Sequence, residues 1–248
     1  MAQCIFCRTI EGPFKTREHI LPESLGGGDW AILPKGLFCD ACQNRFGSTI
    51  EQQALADYPF SLLRVILGIP TKQGKAPWMN SFEGILEAGP CPGTLGYDPA
   101  PPFRKSTESK QKSVMRILAE PQKPTFICRM LLKMGLELIA ADNPRDIFHQ
   151  KFDAARQFAL KGNKDEKWWY LQREDMATVP VYIKKGVKKL KWGDDVFLDT
   201  IVVGEANNQA EVFHLKLLYL DFFVPLEPQI GPPPMAEFKE PEYRLFYV

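Results

Sequence analysis

Three observations predict an α+β fold in which a small N-terminal module precedes a larger region. Two Cys-x-x-Cys pairs, Cys4/Cys7 and Cys39/Cys42, stand near the start of the 248-residue chain. Apolar residues at helical spacing, Phe126, Met130, Met134 and Leu138, then Phe148, Phe152, Ala155 and Ala159 past the Asp142-Asn143-Pro144 break, predict two central helices. Beyond Gly162 the texture turns to β-rich runs, which predict a closing antiparallel sheet.

The first knuckle, Cys4-Ile5-Phe6-Cys7, predicts a tight turn whose Ile5 and Phe6 give the module apolar surface. With Cys39 and Cys42 it supplies four thiolates, the donor set of a closed tetrahedral zinc site. Such a site leaves no open position for water, so its metal folds the segment and does not catalyse. Zinc ribbons usually space their pairs roughly 15 to 20 residues apart. Here Arg8 to Phe38 intervene, which leaves room for chemistry in the insert. Within it, Glu11-Gly12-Pro13 turns the chain, and Pro22 with Gly26-Gly27-Gly28 argues for a broad hairpin loop after Ile20-Leu21. A helix is expected from the second knuckle, with Asp40 as N-cap and Gln43 at capping-box spacing, running through Phe46 and Ile50 to Ala56 or Asp57.

Tyr58-Pro59 ends that helix, and Phe60 to Ile69 reads as a short, very apolar connecting helix. Thr71 to Pro102 is dense in Gly and Pro and reads as loops with a short strand near Phe82 to Leu86. Basic residues outnumber acidic ones from Arg104 to Lys133, a candidate phosphate-binding face. The expected strands are Trp168-Trp169-Tyr170, Val179 to Ile183, Val196 to Val203 and Val212 to Val224, with Glu205 to Gln209 as a turn. Alternation would bury one of Trp168 and Trp169 and expose the other. The proline-rich tail from Pro225 is expected to wrap the surface. The domain reading is therefore 1–57 for the module, 58–124 for a connecting helix and Gly/Pro-rich basic segment, and 125–248 for the α+β region.

A net charge of +1 gives no global sign of a nucleic-acid partner, so any such surface must come from local clusters of Lys and Arg. No signal peptide is expected before Cys4, and no run reaches the roughly 18 uncharged apolar residues that span a bilayer. The longest candidate, Val212 to Val224, is interrupted by His214, Lys216 and Asp221. Paired cysteines without an export signal favour metal thiolates in a reducing, cytoplasmic setting. Cys91 and Cys128 read as small buried apolar residues.

The insert runs Thr16-Arg17-Glu18-His19-Ile20-Leu21-Pro22-Glu23-Ser24-Leu25-Gly26-Gly27-Gly28, and the closing knuckle Leu37-Phe38-Cys39-Asp40-Ala41-Cys42-Gln43-Asn44-Arg45-Phe46-Gly47. This stretch resembles the zinc-stapled HNH nucleases, whose pattern is an acidic residue and His-Ile, a Pro, a Gly-Gly and a closing Cys-x-x-Cys-Asn. The resemblance covers the first quarter of the chain and implies a ββα-metal module. It implies an endonuclease that hydrolyses phosphodiester bonds in DNA, with RNA left open, of the kind met in restriction or defence; a homodimer is compatible with it.

His19 is then the general base, since an imidazole titrating near neutrality suits deprotonation of water. One divalent cation, usually magnesium, would stabilise the departing sugar oxygen. Glu18 is its first oxygen ligand. The second, an Asn after the last cysteine in the family, falls on Gln43, with Asn44 as the substitute; a Gln carbonyl reaches about one methylene further. The middle Asn of the family has no counterpart at Leu33-Pro34-Lys35. Arg17, Lys35 and Arg45 are candidate phosphate contacts. Lys188 and Lys189, within Lys184 to Trp192, either track a nucleic-acid backbone or guard a sheet edge. Two rival readings remain: a zinc-dependent nucleic-acid-binding module too impaired to cut, and an effector nuclease gated by its C-terminal region.

Overall fold

Ahead of the first helix the chain is shaped by turns, in a computed structural model that describes residues 2–70, 74–90, 94–104, 120–162, 167–175, 177, 198–206, 210–235 and 243–248. Backbone bonds from Gln3 to Gly36 and from Ile5 to Leu37 lay the first knuckle beside the second. Phe6 packs on Phe38 and Phe46, with ring centroids 5.2 and 4.6 Å away. The expected hairpin is reduced to a single bridge between His19 and Ile32. Bonds from Ile20 N–H to the Ala31 carbonyl, and from Leu33 N–H to that of Glu18, flank it. The loop winds through 3-10 turns at Glu23–Leu25 and Asp29–Ala31. A Cβ at Gly27 would lie 1.7 Å from the Leu21 carbonyl oxygen, so the loop closes at that point only with glycine.

The second knuckle opens helix α1 (Asp40–Arg45), which continues through a π-helical segment, Phe46–Glu51, into α2 (Gln52–Ala56). The span agrees with the sequence, but the cap does not. Cys39 holds the N-cap position, and neither Asp40 nor Gln43 forms a capping box. The chain at 13–16 passes this helix end and offers Asp40 better donors: its Oδ1 accepts from the Lys15 and Thr16 N–H groups and the Thr16 hydroxyl at 2.9, 3.1 and 2.8 Å.

Asp57 ends α2 and accepts bonds from the N–H groups of Gln122 and Lys123, so it anchors the start of the long central helix. Helix α3 (Phe60–Leu67) packs Leu62 and Val65 against Met79 and Leu86 of a small antiparallel sheet. Its strands are β1 (Trp78–Asn80), β2 (Gly84–Ala88) and β3 (Leu95–Pro99), in that order. The sequence suggested mostly loop here; the Gly and Pro residues mark the ends of short strands.

Helix α4 (Pro124–Asp142) is buried all round from Ile127 to Glu137, which makes it the centre of the molecule and not an amphipathic surface helix. A Cβ at its Gly135 would come within 2.8 Å of Phe213 and Leu226, so glycine sets how closely α4 approaches the large sheet. Helix α5 (Asp153–Lys161) follows and packs on α4. Of the basic face expected from 104 to 133, residues 105–119 lie outside the described residues, and its end is corrected: Arg129 and Lys133 are buried. Arg129 donates to the Ala159 and Leu160 carbonyls at the end of α5.

The large sheet is antiparallel, as expected. Its strands are β4 (Trp169–Glu174), β5 (Leu198–Ala206), β6 (Ala210–Leu217), β7 (Leu220–Pro225) and β8 (Tyr243–Tyr247), in the order β5-β6-β7-β4-β8. The run Val212 to Val224 divides into two strands at Leu218, where φ is +54°. Trp168 and Trp169 are both buried, contrary to simple alternation. Trp168 faces the core, while Trp169 is covered by the stretch after β7 and donates its indole N–H to the Ile230 carbonyl. The tail does more than wrap, since β8 adds an edge strand beside β4. Cys128 is buried in the core, as expected. Cys91, the expected strand at Val179 to Ile183, and the run with Lys188 and Lys189 lie outside the described residues. One contiguous core joins the knuckles and α1 to α4, α5 and the large sheet. No helix among the described residues is long and apolar enough to cross a membrane.

Candidate functional site

The two knuckles bring Cys4, Cys7, Cys39 and Cys42 together, with all four sulfur atoms within 4.8 Å of one another. Tetrahedral zinc with bonds of about 2.3 Å separates its thiolates by about 3.8 Å. The Cys7 and Cys39 sulfurs stand 3.6 Å apart, so the cluster suits a metal such as zinc. Cys4 is held toward the thiolate, its pKa lowered to about 5 by the Cys42 thiol and by nearby backbone N–H groups. Burial, with the charge on Cys4, pushes Cys39 up to about 11. Three of the four are buried, and Cys7 is exposed.

Next to this corner the bridge at His19 fixes the acidic-His pair. The two side chains diverge, as neighbours on an extended chain do. Glu18 turns inward and is 8% exposed. His19 stays at the surface edge with its side chain 17% exposed, Nε2 lying 3.8 Å from Glu23. Gln43, on the first turn of α1, donates its side-chain amide to the Arg17 carbonyl at 3.3 Å. Gln43 thus meets the loop strand beside the Glu18-His19 pair, whose two side chains point to different sides. Asn44, one residue on, is exposed. The backbone bonds around His19 and Ile32 hold the loop at the level of the missing family Asn.

The candidate phosphate contacts are more dispersed. Arg17 forms an exposed ion pair with Asp29 at 2.8 Å. Lys35 is exposed in the turn before the second knuckle, and Arg45 is exposed at the end of α1.

Sequence reasoning missed the partner of Glu18. Lys133 of α4, fully buried, places its Nζ 2.6 Å from Glu18, 3.0 Å from Glu51 and 3.0 Å from Glu137. Burial raises the pKa of Glu18, Lys133 opposes that rise, and Glu51 adds to it. Burial also works against the charged form of Lys133, but Glu137, Glu51 and Glu18 outweigh it and hold its pKa well above the ordinary value. The signal was present: Lys133 and Glu137 stand four apart on a helix with no solvent-facing stripe, the spacing of a buried pair.

Residues 4–59 match the family model described as HNH endonuclease, so the resemblance read from the first quarter of the chain is borne out on that segment. No curated protein and no solved structure matches the chain.

Proposed function

We propose that the matched segment makes this protein a metal-dependent HNH endonuclease that hydrolyses phosphodiester bonds in DNA. The observation that supports this most is that, inside the matched residues, Gln43 near the start of α1 donates to the Arg17 carbonyl and so sets the helix against the loop strand that carries Glu18 and His19. Zinc in the four-cysteine cluster fixes that crossing and takes no part in the reaction, because four thiolates leave no coordination position open.

His19 takes the proton from a water whose oxygen forms a bond to phosphorus, while the bond from phosphorus to the sugar oxygen breaks. The imidazole stands at the edge of the module, within reach of a phosphate that does not enter the core. Glu18 would supply a hard oxygen ligand for one divalent cation, and Gln43, whose amide nitrogen donates to the neighbouring Arg17 carbonyl, would present its carbonyl oxygen as the second. That cation, when bound, supplies positive charge to the phosphate and the departing oxygen. Gln43 is preferred to the exposed Asn44. Arg17, Lys35 and Arg45 are exposed on the same segment and would meet the backbone of the substrate.

The test is conversion of supercoiled plasmid to nicked and linear forms with Mg2+, run beside single-stranded DNA and RNA. His19→Ala is expected to lower the rate by about 100-fold or more while leaving the zinc content unchanged. Equal cleavage by both proteins would remove His19 from the role.

A further inference from the structure

An indole carries one of the largest apolar surfaces of any side chain, and such rings are normally drawn into a core. Inside the matched segment Phe6, Phe38 and Phe46 follow that rule and are buried. Trp30 does not: it is 48% exposed, on the same loop as His19. A single exposed apolar residue is ordinary at a protein surface. What sets Trp30 apart is that the loop is fastened on both sides of it. Asp29, just before it, pairs with Arg17 at 2.8 Å. Ala31, just after it, accepts the Ile20 N–H at 2.7 Å, and Ile32 is bridged to His19. The ring therefore rides on backbone tied to Arg17 and Ile20, the two residues that flank the Glu18-His19 pair.

We propose that Trp30 stacks on an unpaired base close to the scissile phosphate, which makes single-stranded or locally opened DNA the substrate class of this site; this rests on reading the segment as a nuclease. Distance is the first reason. Trp30 stands two residues from Ile32, a chain length of at most about 7 Å, and Ile32 faces His19 across about 5 Å. The sum is three to four base steps at about 3.4 Å each, so the ring is in range of the bases beside the phosphate that His19 serves. Chemistry is the second. Every base presents a π face to a stacking ring, whereas the pairs of an intact duplex have both faces covered by their neighbours. Charge is the third. Arg17 and Lys35 are exposed near the ring, but the exposed carboxylates of Glu23 and Asp29 offset them, so the grip on a strand has to come from stacking more than from phosphate contacts.

The local sequence explains why the ring stays outside. Trp30 is the middle residue of the 3-10 turn Asp29–Ala31. The inward places of this part of the loop are taken by Ala31 and Leu33, at 1% and 3% exposure, and by Leu21 and Leu25, both at 0%. A turn selected for packing alone would put the indole inward and the methyl group of Ala31 outward. Here the small side chain is buried and the large ring is presented to solvent.

The experiment gives the full-length, zinc-loaded chain a fluorescently labelled single-stranded DNA oligonucleotide and a blunt duplex of the same sequence. Binding is followed by anisotropy without Mg2+, and cleavage with it. Wild type is expected to bind and cut the single strand ahead of the duplex. Trp30→Ala is expected to raise Kd and KM for the single strand about 5- to 150-fold, the loss that removing a stacking ring causes, with kcat kept. Trp30→Leu, apolar but without a π face, should lose as much, and Trp30→Phe should recover most of it. Unchanged zinc content and circular dichroism would show that each variant folds; should Trp30→Ala not fold, the comparison of Trp30→Leu with Trp30→Phe carries the test. Wild-type affinity in a folded Trp30→Leu, or equal wild-type affinity for strand and duplex, would overturn the stacking role and, where wild type still cuts, leave the nuclease reading intact. Binding that depends on the ring in a protein that never cuts would support the stacking role and remove the nuclease reading. Neither binding nor cleavage by wild type would overturn both.

Discussion

Two polar corners of this protein, one of thiols and one of carboxylates around a lysine, are built in opposite ways. The thiol corner draws all its donors from the two knuckles, within residues 4–42, and soft sulfur does the work. The carboxylate corner takes Glu18 and Glu51 from the same segment but closes only with Lys133 and Glu137, which belong to the central helix. One corner is therefore complete in the matched residues, whereas the other depends on the body of the protein. A motif can identify a nuclease segment and still omit groups that set the charge of its site.

Loss of the metal tests the first corner and carries the largest expected effect. Cys42→Ala leaves three thiolates and an open position, and in small thiolate modules metal binding free energy is folding free energy. Its zinc-to-protein ratio should fall to near zero and its melting temperature by more than about 10 °C, read by metal analysis and thermal unfolding. Unchanged melting would mean that the corner is held by its apolar packing alone.

The second corner should respond to Lys133→Met, which leaves Glu18 and Glu137 buried without their ammonium. A loss of about 3–5 kcal/mol in urea unfolding is expected. The double variant Lys133→Met, Glu137→Gln removes charge of both signs and should lose less than Lys133→Met alone, a non-additive result that would identify the two as one unit.

Gly135→Ala probes the contact that seats the central helix on the large sheet. A methyl group 2.8 Å from Phe213 and Leu226 should cost about 1–3 kcal/mol, with zinc content unaffected. At the surface, Arg17→Ala removes only the exposed pair with Asp29 and should change stability by less than about 1 kcal/mol. It serves as the reference against which the buried charges are judged.

Much of the first corner was legible in the sequence, because ligand spacing is local: Cys4, Cys7, Cys39 and Cys42, the Glu18-His19 pair and the helix to residue 56 all declare themselves within a short window. The two central helices were legible for the same reason, through the spacing of Phe126, Met130, Met134 and Leu138. What escaped depends on distant partners. Strand β8 is an edge strand only because β4 presents a free edge, and Trp169 is buried only because residues after β7 cross over it. Asp40 abandons its own helix end because Lys15 and Thr16 pass nearby. Lys133, counted as one more cation in a basic stretch, becomes a core residue once three carboxylates close around it.

The hydrogen bond between Lys133 and Glu18 joins residues 115 positions apart. On a ribosome working at about 5–20 residues per second, roughly 6 to 23 seconds separate the emergence of the two. The four knuckle cysteines are all available well before the lysine, so the newborn chain can draw them together while Glu18 and Glu51 still face water. The acidic corner would then acquire its buried character late in synthesis, when the central helix arrives and displaces that water.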